Sequence, residues 1–237
     1  MITIAASSDF HGNLPEVTKP FDLMLLAGDL EPAHDHTWGY QRKWYKEQFL
    51  PWVMELPFKN IWSKVIFIAG NHSCYLSQEG HSFRVKELEI ESNGRLQYLH
   101  HEWCFFDYLD EETNEIENIY IFGTPYCKIF GNWWNMLSDK ALIEKYSEIP
   151  NNIEILVSHD SPSLLGLGEI KQKDPVIDAG NRILSDVIED IKPSYFFSGH
   201  IHSGEHSLQD NGFTKMANVS LLNEHYEIAY PILYLTI

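Results

Sequence analysis

The sequence predicts an α/β fold. Short apolar runs recur along the whole chain, and most stop at a glycine, a serine or a charged residue. Charged segments of helical length separate them, which is the alternation of strands and helices packed in layers.

Residues 2–7 are short and mostly apolar and read as a buried strand, and residues 22–27 read as a second, ended by Gly28. Residues 38–56 form a long mixed stretch interrupted by Pro51. They predict a helix broken or kinked there, with Trp44, Phe49, Trp52 and Val53 on its inner face. Residues 65–69 are a third strand ended by Gly70, residues 82–92 a helix, and Asn93 with Gly94 a turn. Residues 96–106 read as strand material, residues 107–117 as an acidic hairpin tip or loop, and residues 119–122 as a strand ended by Gly123. A helix over 138–149 and a strand over 153–157 follow, the strand running into Ser158 and His159. Residues 178–191 predict an amphipathic helix stopped by Pro193, and residues 195–197 a strand ended by Ser198 and Gly199. The tail, residues 214–237, alternates enough for two terminal strands. With no repeat, low-complexity tract or linker, residues 1–237 read as one domain.

Composition narrows the function. The 237 residues carry a net charge of −17, with 44% hydrophobic residues, which is a folded and acidic chain. Gripping long nucleic acid takes many Lys and Arg, and so does an anionic membrane surface, so neither is an expected partner. A small anionic substrate remains open, because bound metal can reverse a local field. Cys74, Cys104 and Cys127 form no CxxC pair, so they read as ordinary thiols of a reducing, cytoplasmic setting. The N-terminus reads as a first strand, not a signal peptide, and no run reaches the roughly 18 apolar residues of a membrane span.

The chain also holds 12 histidines, and several stand where strands end. Asp9 and His11 follow the first strand, Gly28 and Asp29 the second, and Gly70, Asn71 and His72 the third. His159 and then Gly199, His200 and His202 follow later ones. Ligands of α/β sheets bind beyond the carboxyl ends of strands, so one crevice would pool these side chains. Imidazole, carboxylate and amide donors without thiolate suit borderline divalent ions such as Mn, Fe or Zn. On an extended segment Asp9 and His11 would point the same way and reach one ion. His200 and His202 could do so too, or lean toward two neighbouring ions. Glycines 28, 70 and 199 would let the backbone turn and approach closely.

These motifs, in this order, resemble those of the calcineurin-like metallophosphoesterases, D-x-H, G-D, G-N-H, H and G-H-x-H, from Asp9 to His202. The look is closest to the small metallophosphoesterase-domain proteins, related to class III cyclic nucleotide phosphodiesterases. The resemblance implies an α/β/β/α sandwich of two mixed sheets flanked by helices. It implies that Asp9, His11, Asp29 and His202 hold one divalent ion, and that Asp29, Asn71, His159 and His200 hold a second, with Asp29 bridging. It makes His72 a non-ligand that, with Asn71, contacts phosphate and protonates the leaving oxygen, after a metal-bridging hydroxide attacks. The chain departs from the protein phosphatases of that family, since Leu30, Glu31 and Pro32 follow Asp29 with no Arg, and Ser73 follows His72. It also has Asp160, Ser161 and Pro162 after His159, where the family usually shows H-x-P-P.

The expectation is a dinuclear phosphodiesterase acting on a small or nucleotide phosphate ester. A metal-poor scaffold that binds proteins and a nuclease of the same fold are the alternatives. His34, His36 and His206 could line the cleft or sit in loops, whereas His81, His100, His101 and His225 read as structural. The aromatic loop over residues 126–134 could stack a planar group or pack in the core.

Overall fold

Alternate side chains of the first strands serve two cores. In Thr3–Ser7, Ile4 and Ala6 face one way and Ala5 the other; in Leu23–Leu26, Leu23 and Leu25 oppose Met24 and Leu26. Strands buried on both faces have no polar side, which is why these runs are continuously apolar. The computed structural model describes residues 1–77, 81–110, 112–171 and 173–237, without the side chains of residues 81–84, so that of His81 lies outside the described residues.

The first sheet has five strands in the order Leu233–Thr236, Thr3–Ser7, Leu23–Leu26, Lys64–Phe67 and Leu96–Tyr98. Its pairs are parallel except at Leu233–Thr236. The second has six, in the order Gln209–Asp210, Lys215–Asn218, Tyr195–Ser198, Ile155–Ser158, Ile116–Thr124 and Glu102–Leu109, with antiparallel pairs at both edges. The sheets pack face to face. Ile4, Leu25, Ile66 and Ile68 meet Ile121, Ile155, Val157 and Phe197 in the middle core. Outside the first sheet, Tyr45, Phe49, Val53 and Leu88 cover Met24, Leu26 and Phe67. Outside the second, Leu142 and Tyr146 of the helix Asp139–Tyr146 and Leu184 and Ile188 of the helix Arg182–Ile191 cover Phe122, Leu156 and Phe196. This is the expected four-layer α/β/β/α order.

Three elements differ in detail from the sequence expectation. Residues 96–106 are not one strand but two, Leu96–Tyr98 and Glu102–Leu109, in different sheets. His101 turns the chain between them with φ of 56°. The second strand also takes Asp107 to Leu109 from the expected acidic tip, in a hairpin with Ile116–Thr124. The helix near Pro51 does not break. It runs as Trp38–Trp44, a wider π-turn segment Tyr45–Phe49, and Leu50–Met54, in which Leu50 N–H reaches back to the Tyr45 carbonyl. The extra residue in that turn makes room for a proline ring and for its missing donor. The helix expected from 178 starts at Arg182, because Ile177–Asp178 pairs with Glu169–Ile170 and Asn181 caps the helix by accepting from Leu184 N–H. No helix among the described residues is long and apolar enough to cross a membrane.

Candidate metal centre

The strand ends of both sheets open on one cavity of about 450 Å³, lined by Asp9, His11, Asp29, Asn71, His72, His200 and His202 among others. His159 lies fully buried at its base. All eight side chains named by the sequence therefore meet in one place. A larger groove of about 640 Å³ beside Lys64, Glu89 and Trp103 is lined by none of them.

How they meet differs from the expectation. Asp9, His11, Asp29 and His200 have φ of 52°, 43°, 50° and 69°. The Asp9–His11 pair is thus no extended segment: left-handed turns aim both side chains into the cavity. Such backbone costs of order 1–3 kcal/mol per residue and persists only where neighbours enforce it. Here Asp9 N–H donates to the Gly28 carbonyl and His11 N–H to the Asp29 carbonyl, at 3.0 and 3.1 Å.

The glycines act on the carboxylates. A Cβ at Gly70 would collide with the Asp29 carboxyl, and one at Gly199 with Asp9 Oδ2 and Ser8 Oγ. Asp9 is further fixed by the Ser8 hydroxyl, by Ser220 Oγ at 2.8 Å and by the His200 N–H at 3.0 Å. Asp29 Oδ1 accepts the His72 N–H at 2.8 Å.

Donor atoms fall into overlapping groups. One nitrogen or oxygen each from Asp9, His11 and His202 lie within 4.8 Å of one another, and so do those of Asp9, Asp29 and His159. His202 Nε2 is 3.3 Å from Asp9 Oδ1, and His159 Nε2 is 3.2 Å from Asp29 Oδ2 and 3.0 Å from Asn71 Oδ1. His200 leaves His202 and stands with His159 and Cys127 in a third group within the same 4.8 Å. The two histidines of the last motif therefore lean apart. Backbone carbonyls orient two of the rings: Ala27 O takes His159 Nδ1 and Asn223 O takes His202 Nδ1, leaving each Nε2 to face the cavity.

The electrostatics is that of a cation site. Burial disfavours charge on Asp9 and Asp29, yet His202, His159, His11 and His72 around them hold both carboxyls well below the usual range. Burial also opposes charge on His159, but Asp29 lifts it to about 9. Burial drives His11 and His200 down to about 4, which leaves their lone pairs free for a metal. His11 Nδ1 is buried without a hydrogen-bond partner among the described residues. Carboxylates, imidazoles and one amide oxygen packed this closely fit divalent ions.

Other residues come into view that the sequence left open or overlooked. His36 Nε2 meets His72 Nδ1 at 2.7 Å. His206 does not line the cavity: its Nε2 bonds the His202 carbonyl and its ring stacks on Tyr230. His34 is exposed and packs against Tyr40. In the aromatic loop, Trp133 lies 4.5 Å from His72 and Phe130 5.0 Å from His200 between ring centres, and both are exposed. They border the cavity and are not core. Tyr226 and Lys128 line it as well, and no local motif marks either one. Where the loop after His159 departs from the family's pattern, Asp160 accepts from Lys128 N–H and Asn181 Nδ2 and ties the loop to the helix N-terminus.

The chain resembles curated proteins over most of its length. It is 25% identical to a UPF0046 protein of Caenorhabditis elegans over 92% of this chain, of whose length it spans 55%. It is 26% identical to metallophosphoesterase domain-containing protein 1 of Homo sapiens, over 94% of this chain and 67% of that protein. Among solved structures, TT1561 of Thermus thermophilus superposes with a TM-score of 0.54 at 10% identity, covering 92% of this chain and 88% of that one, a likeness of fold. The profile of the calcineurin-like phosphoesterases matches residues 2–204, which takes in every motif from Asp9 to His202. A match of that extent settles the family: the chain is a calcineurin-like phosphoesterase.

Proposed function

We propose that the protein is a dinuclear metal-dependent phosphodiesterase acting on a small or nucleotide phosphodiester. The observation that carries this reading is the pair of donor groups that share Asp9, drawn from four strand ends into one site. Asp9, His11, Asp29 and His202 would hold one ion, and Asp29, Asn71, His159 and His200 the other. Two such ions supply an activated water at neutral pH and neutralise charge on the phosphoryl oxygens.

The protein's own groups supply the rest. His72 is the acid for the leaving oxygen. Its Nδ1 meets His36 Nε2, so one ring must donate and the other accept. Burial and then His72 itself depress the His36 pKa, which favours a His36 ring that accepts from His72 Nδ1. That fixes the His72 ring and leaves Nε2 to give up its proton. Lys128 is the one Lys or Arg among the described residues lining the cavity, and Phe130 and Tyr226 provide apolar walls. One cation and flat apolar surface suit a singly charged diester with a planar group better than a dianionic monoester. The acidic surface keeps long nucleic acid and anionic membranes away. Three buried cysteines, none of them in a disulfide, suit a reducing compartment such as the cytoplasm.

The test is hydrolysis of bis-p-nitrophenyl phosphate by protein loaded with manganese, beside the monoester. Turnover of the diester is expected, and Asp29→Ala and His200→Ala are expected to lose metal and turnover together. A metal-loaded protein that leaves a panel of diesters and cyclic nucleotides intact would end this reading.

A further inference from the structure

No motif in the sequence marks Cys127 as a metal-binding residue, yet the fold sets it beside two of the histidines. It occupies the two-residue strand Cys127–Lys128, paired with Met136–Leu137, and is fully buried. Its Sγ lies within 4.8 Å of a ring nitrogen of His159 and of one of His200, which are equally close to each other. Hydrogen bonds fix it there from both sides. Cys127 N–H donates to the Asn135 carbonyl at 2.9 Å, Lys128 N–H to Asp160 Oδ2 at 2.9 Å, and Lys128 Nζ to the Gly180 carbonyl at 2.7 Å. Asp160 is itself buried and held by Asn181 Nδ2 at 2.8 Å. The thiol donates to the Pro125 carbonyl at 3.6 Å, a weak hydrogen bond of the kind sulfur makes, which a metal would displace.

A buried thiol packed only for volume has apolar neighbours; this one faces two imidazoles close enough for the three to hold one ion. We infer that Cys127 is a sulfur ligand to the ion held by His159 and His200. The inference rests on the two-metal reading above. On coordination the sulfur keeps its electron pair for the metal and its proton passes to the buffer. With a thiolate added to Asp29, Asn71, His159 and His200, that set is softer than the one of Asp9, His11, Asp29 and His202, which has no sulfur. The two positions therefore differ in kind: the one beside Cys127 prefers zinc, iron or cobalt over manganese and magnesium, and the other accepts harder ions.

Cobalt(II) tests this without recourse to turnover. The full chain is stripped of metal with a chelator and titrated with cobalt under anaerobic conditions while its spectrum is recorded. A sulfur-to-cobalt charge-transfer band in the near ultraviolet is expected, saturating with one equivalent of the two bound. Cys127→Ser should lose that band and keep the weak visible bands of nitrogen- and oxygen-bound cobalt, whereas Cys104→Ser should keep both. X-ray absorption on the unaltered protein gives a check that does not depend on a variant folding: one sulfur neighbour at about 2.3 Å per pair of ions for zinc. Cobalt uptake without the band, a band that survives in Cys127→Ser, or no sulfur neighbour overturns the inference and leaves the metal centre standing. No cobalt uptake at all overturns both.

Discussion

Asp9 shows how one residue draws on several parts of the chain. Burial alone would raise its carboxyl's pKa, but it accepts from Ser8, Ser220 and the His200 N–H and faces His202. Only a residue without a Cβ fits at position 199 beside it. Gly199→Ala should therefore displace Asp9 and weaken metal binding about 10- to 100-fold, the usual effect of disturbing a ligand's support, as read by a metal titration. His72→Ala should lower kcat about 100-fold or more with metal content unchanged, which separates an acid from a ligand. His36→Ala should lower kcat about tenfold, again with metals retained, because it frees the His72 ring. Glu205, held from 4.5 down to about 2 chiefly by hydrogen bonds from Ser207 and then by Lys171, supplies a pH signature. A lowered carboxyl stabilises the fold above its ordinary value and loses that contribution as pH falls. Wild type and Glu205→Gln should differ most in urea midpoint above pH 4.5 and converge as pH falls toward about 2. At this scale the motif residues were legible because each follows an apolar run. Lys128, Tyr226 and Cys127 were not: the short strand Cys127–Lys128 and the loop of Tyr226 are placed by tertiary contacts such as that of Asp160. His36 was left undecided between cleft and loop, since spacing says nothing of a partner 36 positions away.

The π-turn segment Tyr45–Phe49 shows what an element contributes. Gln41, one turn before it, donates to the His72 carbonyl and accepts from Tyr75 N–H, at 2.7 and 2.8 Å. Tyr45 within it donates to buried Glu31 Oε2 at 2.7 Å. The helix thereby braces the loop that carries Asn71 and His72. Burial and then Asp29 raise Glu31 to about 7, so this carboxyl depends on its few partners. Tyr45→Phe should cost about 1–3 kcal/mol, measured by urea unfolding, because it strips a donor from a buried acceptor. Pro51 announced an irregularity but not its form, since a kink, a break and a wider turn all accommodate a missing donor. The hairpin of Glu102–Leu109 with Ile116–Thr124 was hidden for another reason. Its outer edge alternates Trp103 and Phe105 with buried Cys104 and Phe106, so both faces are apolar and period alone does not show where one strand ends. The helices Asp139–Tyr146 and Arg182–Ile191 were legible apart from their starts, which Ser138 and Asn181 set by capping.

Across the whole molecule, three cores separated by two sheets hold the strand ends in register, and the cavity is where both sheets deliver their carboxyl edges. Leu25 lies in the middle core, and Leu25→Ala should cost about 2–5 kcal/mol in urea unfolding, from lost burial and the cavity left behind. The layer order itself came from the motifs' resemblance to a family, because alternating strands and helices do not say which strands share a sheet. Charge is also a property of this scale. Net charge is −17, yet only Asp9 and Asp29 of the 34 acidic residues belong to the expected metal ligands, so the acidity lies almost wholly outside the site. Divalent ions would turn that one crevice positive while the rest of the surface repels polyanions. The measurement that bears most directly on this account is the stoichiometry of divalent metal bound by the stripped chain, by elemental analysis after equilibration, for wild type and Asp29→Ala. Two ions per chain in wild type, with loss of both tight sites when Asp29 is removed, is the predicted result. A wild-type chain that retains no metal, or an Asp29→Ala chain that retains both ions, would contradict it.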